Sequence, residues 1–243
     1  MLLLYRALGE ATLADLRMLI PPPSEGVYAR ESDEFLRDLA LFLRLEAEAT
    51  GRIPVGLEIS FGGGDPEGEP LAQTDPVSID LGAGLQFLLR GRIDRLDRLT
   101  NGGYEVVDYK TGRPWLPGGL TAAFAGGRQL QHALYAIAAV QLLRRKHPRA
   151  RVAWSSYYFP TVRGRGERVR RAQDDPAKVA AILRDLFDVL ATGTFLPAND
   201  KGDCRYCAFE RACGTGPVAR AQQKLENVAN GALDAYRRLR NHA

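Results

Sequence analysis

The chain is poor in cysteine, histidine, methionine and tryptophan, holding three, three, two and two of them among 243 residues. All three cysteines fall between residues 204 and 213. An odd number so clustered in a cytosolic chain argues for metal chemistry rather than a disulfide framework. Long apolar runs are missing too. No uninterrupted stretch approaches the roughly 18 residues of a membrane span, and the opening MLLLYRALGE meets Arg6 and Glu10 too early for a signal peptide. These absences predict a cytoplasmic chain without a membrane partner. No glycine-rich phosphate loop and no GKS or GKT occurs, so ATP hydrolysis would have to come from another chain or domain. Acids are scarce in one stretch: from Arg144 to Arg171, ten Lys or Arg residues stand against the single acid Glu167, interleaved with Trp154, Tyr157, Tyr158 and Phe159.

What is present suffices for a sizeable core, with 45% hydrophobic and 26% charged residues. A net charge of +4 and a pI near 9.0 permit nucleic-acid binding without requiring it. The basic run has two readings. Its cations and aromatics bind phosphates and stack on unpaired bases, or they form a solvated helix end and loop with the aromatics buried in a strand.

Apolar spacing and breakers divide the chain. Residues 1–20 read as a short helix stopped by Pro21 to Pro23, and a linker follows. Phe35, Leu36, Leu39, Phe42, Leu43 and Leu45 mark an amphipathic helix from about Glu31 to Gly51. Residues 55–63 alternate as a strand with Leu57, Ile59 and Phe61 on one face and Glu58 and Ser60 on the other. A Gly- and Pro-rich loop leads to strands over 77–99, interrupted near Gly82 to Gly84, and to a partner strand over 104–109, predicted to form one antiparallel meander. Helices are expected over 129–146 and 176–192, the latter opened by Asp174, Asp175 and Pro176, with a strand over 151–159 between them and a basic-ended helix at the C-terminus. This order predicts an α/β fold with a mixed central sheet flanked by helices. The expected divisions are 1–30 (helix and Pro-rich linker), 31–200 (core) and 201–243 (cysteine segment and final helix).

The chemistry concentrates in VVDYKTG, Val106 to Gly112. In an extended strand Asp108 and Lys110 share a face and Tyr109 takes the other. GRIDRLDRL places Asp94 in the strand that should pair with this one. Opposed residues of an antiparallel hairpin have numbers of constant sum, so a two-residue loop turns Asp94 away from Asp108, whereas a three-residue loop sets it opposite Asp108 or Lys110. Gly102 or Gly103 supplies the positive φ such a loop needs, which predicts a three-residue connection or a bulge. Two carboxylates brought together call for a cation, and an ammonium beside them suits a phosphate.

The pieces GRIDR (Gly91 to Arg95), VDYKTG (Val107 to Gly112) and Gln-x-x-x-Tyr (Gln131 to Tyr135) together resemble the RecB-like and AddB-like branch of the PD-(D/E)xK nuclease superfamily, over roughly residues 50 to 215. The resemblance implies a restriction-endonuclease-like core and metal-dependent hydrolysis of DNA, with single-stranded or unwound ends as substrate and a helicase as partner in DNA repair. It implies Asp94 and Asp108 as ligands of Mg²⁺ or Mn²⁺, the Tyr109 carbonyl as a further ligand, and Lys110 positioning the attacking water. Gln131 and Tyr135 would border the metal or touch DNA, and Glu58 would support the site. Glu46 is a weaker candidate, and His132 reads as a structural helix residue.

In relatives of this branch, cysteines spaced like Cys204, Cys207 and Cys213 join one far upstream to hold a four-iron four-sulfur cluster. Here no fourth cysteine occurs, nor any histidine before His132 to match the branch's upstream Gly-x-x-x-His helix. The expectation is a C-terminal part of a longer protein, or a degenerate short form. Two alternatives to the nuclease are a non-catalytic DNA-binding or assembly module and a zinc-binding regulatory protein.

Overall fold

The computed structural model describes residues 2–63, 68–173, 175–196, 201–205 and 207–242; Asp174, one of the expected helix-start residues, lies outside them. The chain forms two compact units, one of Met1–Ile79, Phe87–Thr121 and Gln131–Asp174, the other of Asp80–Gln86, Ala122–Leu130 and Asp175–Ala243. Among the described residues no helix is long and apolar enough to cross a membrane.

The first unit opens with two helices, α1 (Leu2–Leu19) and α2 (Glu25–Glu48). Gly9 lets them approach, since a Cβ there would meet Leu39 at 2.8 Å. Helix α2 starts earlier than its apolar spacing suggests because the Ser24 side chain accepts the amide of Val27 as an N-cap. Strands β1 (Arg52–Phe61), β4 (Gly91–Leu99), β5 (Tyr104–Tyr109), β6 (Val152–Phe159) and β7 (Glu167–Ala172) form a sheet in the order β1-β4-β5-β6-β7. The β5–β6 pair is parallel, across helix α3 (Gln131–Arg144), and the other pairs are antiparallel. The fold is therefore mixed α/β with a helix-flanked central sheet, as expected.

Two sequence expectations change. The single meander does not form, because β2 (Val77–Asp80) and β3 (Gln86–Leu89) make a separate two-stranded sheet. The turn through Gly82 and Gly84, both at positive φ, closes β3 back on β2 before β4 begins. Strand β7 was hidden by its charges: ERVRRA shows one large apolar residue, Val169, besides the terminal Ala172, and Val169 packs with Leu116, Tyr157 and Phe159.

Helix α3 is rich in alanine where it meets the sheet. Ala133, Ala136, Ala138 and Ala139 are all buried, and their small side chains let the helix lie close enough for Ser155 Oγ to donate to the His132 carbonyl at 2.8 Å. Helix α2 covers the other face, with Phe42 edge-on to Tyr109 at 6.0 Å and Glu46 bonded to Arg95.

In the second unit, α4 (Pro176–Thr192) is capped by Asp175 and ended by Gly193 in the left-handed region. It packs against α8 (Asp234–Arg240), where Arg238 reaches Asp185 at 2.7 Å and Asp188 at 3.0 Å. Between them lie the short helices α5 (Lys201–Cys204) and α6 (Glu210–Cys213), then α7 (Pro217–Glu226).

Candidate functional site

The β4–β5 hairpin pairs Arg95 with Val107 and Asp97 with Glu105, a constant sum that one further step carries to Asp94 opposite Asp108. Leu99 donates its amide to the Gly103 carbonyl at 2.8 Å, so the connection is Thr100, Asn101 and Gly102. Gly102 takes φ +81°, the conformation the three-residue loop demands. The parity expected from the sequence is the parity observed.

At the end of this ladder the carboxylate of Asp94 accepts the amide of Tyr109 at 2.8 Å. Lys110 lies one residue beyond β5, where its amide continues to the Tyr158 carbonyl at 2.8 Å. Its ammonium pairs with Asp108, and Gln131 from the first turn of α3 also hydrogen-bonds that carboxylate. Burial nonetheless raises the Asp108 pKa above its usual 3.8, and the Asp94 charge adds to the rise against the relief from Lys110 and Gln131. Asp94, Asp108, Lys110 and Gln131 thus converge.

Tyr109 is fixed from both sides. Its amide is held by Asp94, and its ring sits on the opposite face, where the hydroxyl meets Arg95 at 3.1 Å. Tyr135 is half-buried one turn along α3 and meets Phe61 edge-on at 6.0 Å. A Cβ at Gly91 would lie 2.9 Å from the Tyr135 hydroxyl and 3.0 Å from Phe61. The glycine of GRIDR and the tyrosine of Gln-x-x-x-Tyr are therefore one steric feature.

A model of the PD-(D/E)XK nuclease superfamily matches residues 4–214. This chain belongs to that superfamily.

Within it, the chain is similar to an ATP-dependent helicase/deoxyribonuclease subunit of Symbiobacterium thermophilum, 39% identical over 111 residues, covering 44% of the chain and 9% of that protein. It is also similar to the ATP-dependent helicase/deoxyribonuclease subunit of the same name from Limosilactobacillus fermentum, 36% identical over 141 residues, covering 53% of the chain and 11% of that protein. The matches span about a tenth of each relative's length.

Superfamily chemistry asks whether the residues present suit a divalent cation. Opposed carboxylates, one with a raised pKa, and a nearby main-chain carbonyl are hard oxygen donors that suit Mg²⁺ or Mn²⁺. Among the described residues no group of three or more His, Cys, Asp or Glu side chains is arranged to hold a metal ion. Such an ion would thus rest on Asp94 and Asp108, completed by carbonyl and water.

Glu58 lies between the β1–β4 pairs Leu57↔Arg95 and Ile59↔Ile93, which sets its backbone beside Asp94. Its φ of +51° departs from strand geometry, and its carboxylate meets Arg92 at 3.4 Å on the exposed surface. The expected alternation breaks there, leaving Leu57 exposed while Ile59 and Phe61 are buried. A non-glycine residue in the left-handed region is strained.

His132 is buried against Tyr157, ring centroids 6.2 Å apart, and burial lowers its pKa to about 4, helped by Arg171. It is a packing residue, as its sequence context suggested. Cys204, Cys207 and Cys213 are in no disulfide among the described residues. Cys207 donates its amide to the Cys204 carbonyl at 3.1 Å and accepts the Phe209 amide at 3.4 Å. Three thiols alone do not complete a tetrahedral zinc or iron-sulfur ligand set.

The structure divides the basic run. Arg144 and Arg149 lie where α3 ends and before β6 begins, whereas Arg163 and Arg165 lie in the turn after β6. Tyr157, Tyr158 and Phe159 are buried, so they are core residues and offer no platform for bases. Arg170 covers Trp154 at 4.5 Å.

Sequence reasoning missed a charged cluster on the other face of the same strands. Arg95 binds Asp97 at 2.6 Å and Glu46 at 2.7 Å; Arg168 binds Glu105 at 3.0 Å; Arg170 binds Glu105 at 2.9 Å; Ser156 donates to Glu105. Burial pushes the Glu105 carboxyl up, but Arg168, Ser156 and Arg170 together hold it below its usual range. The signal was available: the sum rule that pairs Asp94 with Asp108 also pairs Asp97 with Glu105, two acids that need cations.

Proposed function

We propose that this domain hydrolyses phosphodiester bonds of DNA with Mg²⁺ or Mn²⁺, on single-stranded or unwound ends. The observation that carries the reading is the convergence of Asp94, Asp108 and Lys110 at the end of one hairpin. Asp94 and Asp108, with the Tyr109 carbonyl, would hold the cation. Bound there, such an ion would supply Lewis acidity toward a phosphate oxygen and a lowered pKa for water. Lys110 orients the attacking water and shares the charge developing on the phosphate, and Gln131 steadies Asp108. The in-line attack breaks one P–O bond of the strand and leaves a phosphomonoester. A helicase domain or subunit supplies the unwound strand, a reading supported by the relatives, which are helicase/deoxyribonuclease subunits. Cys204, Cys207 and Cys213 contribute to a metal or cluster only with a ligand from outside this set.

The test is release of nucleotides from labelled linear single- and double-stranded DNA with Mg²⁺, Mn²⁺ or EDTA. Metal-dependent cleavage by this chain, reduced at least about 100-fold in Lys110→Ala, supports the reading. Cleavage that survives in Lys110→Ala, or none by either protein with any metal, contradicts it and leaves the non-catalytic module.

A further inference from the structure

The turn between β6 and β7 is built with unusual constraint for a surface connection. The Val162 amide donates to Asp38 of α2 at 2.7 Å, and Arg163 holds Glu34 of α2 through two nitrogens at 2.8 and 3.1 Å. A Cβ at Gly164 would lie 2.5 Å from the Phe159 carbonyl oxygen, and one at Gly166 would lie 2.7 Å from Leu45 of α2. Between these glycines Arg165 takes φ +56°, a conformation non-glycine residues adopt only when their surroundings impose it. The strain presents one guanidinium.

That guanidinium borders an open groove of about 500 Å³ lined by Arg37, Ala40, Leu41, Arg44, Val162 and Arg165. Among the described residues no acid lines it. Glu34 and Asp38, the acids of α2 nearest the turn, are engaged by Arg163 and the Val162 amide, and Arg37 has a single long contact to Asp33 at 3.5 Å. Arg44 and Arg165 make no ion pair among the described residues. Two guanidiniums without an ion pair and a third held only by that long contact, around a groove that no acid lines, suit phosphates.

Its position links it to the hairpin site. Strands β5 and β6 run parallel, so the turn after Phe159 leaves the sheet at the same end as Lys110. Thr161 Oγ1 donates to the carbonyl of Thr111, next in sequence to Lys110, at 3.2 Å, and also accepts the Gly164 amide at 2.9 Å. One threonine thus ties the turn to the Lys110 segment.

We propose that Arg37, Arg44 and Arg165 form a backbone-tracking groove that holds the phosphates of a single DNA strand outside the cleavage site. The groove reads no bases. The proposal rests on the reading of this domain as a DNA nuclease, and its test separates the two. Anisotropy of a labelled 30-nucleotide oligo-dT is measured in EDTA over a range of NaCl for the whole chain, for Arg44→Ala/Arg165→Ala, and for the control Arg144→Ala/Arg149→Ala, whose side chains are also exposed. The groove variant should bind about tenfold more weakly, with a salt slope smaller by about 1.4, two single-strand phosphate contacts. The control should stay within about twofold. Arg165→Gly, which removes charge and backbone strain together, should keep or raise the melting temperature while weakening binding. Unchanged binding in the groove variants, equal loss in the control, or no binding by the parent chain overturns the groove. Metal-dependent cleavage is scored separately, so a parent chain that binds through the groove yet never cuts refutes the nuclease reading and leaves the groove standing.

Discussion

The two faces of the β4–β5 hairpin are built from neighbouring residues of the same chain segments, yet they treat charge in opposite ways. On one face Asp97 and Glu105 stand opposed, almost fully buried, and are answered by Arg95, Arg52, Arg168 and Arg170. On the other, Asp94 and Asp108 have one side-chain cation among the described residues, Lys110, and the Asp108 carboxyl is left with a raised pKa. Compensation on one face makes structure. Its shortfall on the other leaves room for a cation and for chemistry.

Removing charge should therefore have opposite consequences on the two faces. The largest expected effect is Asp108→Asn, which should reduce cleavage by about a thousandfold or more if Asp108 holds the metal. Stability should move the other way. A folded pKa above 3.8 means that Asp108 contributes stability below that pH and loses it as the pH rises through the raised value. The variant should melt at least as high as the parent at pH 7, with the gap closing toward pH 4 in a thermal scan.

Glu105→Gln should do the reverse. It leaves the largely covered Arg168, and the more exposed Arg170, beside a neutral amide, a loss of about 3 kcal/mol and roughly 6–12 °C in melting temperature. Below its melting point this variant should still cleave. A variant of Glu105 that loses activity without losing stability would break the division between the faces.

Gly91→Ala sharpens the comparison from the site side. Its Cβ would crowd Tyr135 and Phe61, so a loss of about 1–3 kcal/mol is expected, partly restored in Gly91→Ala/Tyr135→Phe. A further effect is one of pH. His132, with its pKa lowered to about 4 from 6.5, supports the fold fully above pH 6.5 and loses that support as the pH falls toward 4. Substituting His132 with Asn should flatten the melting temperature across that window.

Where the sequence was informative, a local rule acted alone. Period two and a glycine-bearing loop determine that Asp94 faces Asp108, and no distant contact competes with them. Spacing of four puts Gln131 and Tyr135 on one side of α3, and Gly91 shows why Tyr135 fits. Legibility failed where a distant partner decides. Glu58 is an ordinary strand residue in the sequence, and only the β1–β4 geometry turns it to positive φ. Strand β7 reads as a solvated basic stretch because the acids its arginines answer lie on β4 and β5. Tyr157 and Tyr158 fitted a stacking platform and a buried strand equally well in the sequence, and only the packing of the sheet decides for burial. The cysteine triplet was plain from spacing, but completing it needs a ligand that this set does not contain.

The most direct test measures cleavage and melting together for Asp108→Asn and Glu105→Gln, using labelled single-stranded DNA with Mn²⁺ at a temperature where both variants are folded. The account predicts that Asp108→Asn abolishes cleavage without lowering the melting temperature, while Glu105→Gln lowers the melting temperature and keeps cleavage. Cleavage retained by Asp108→Asn, or lost in folded Glu105→Gln, would contradict the assignment of chemistry to one face and stability to the other.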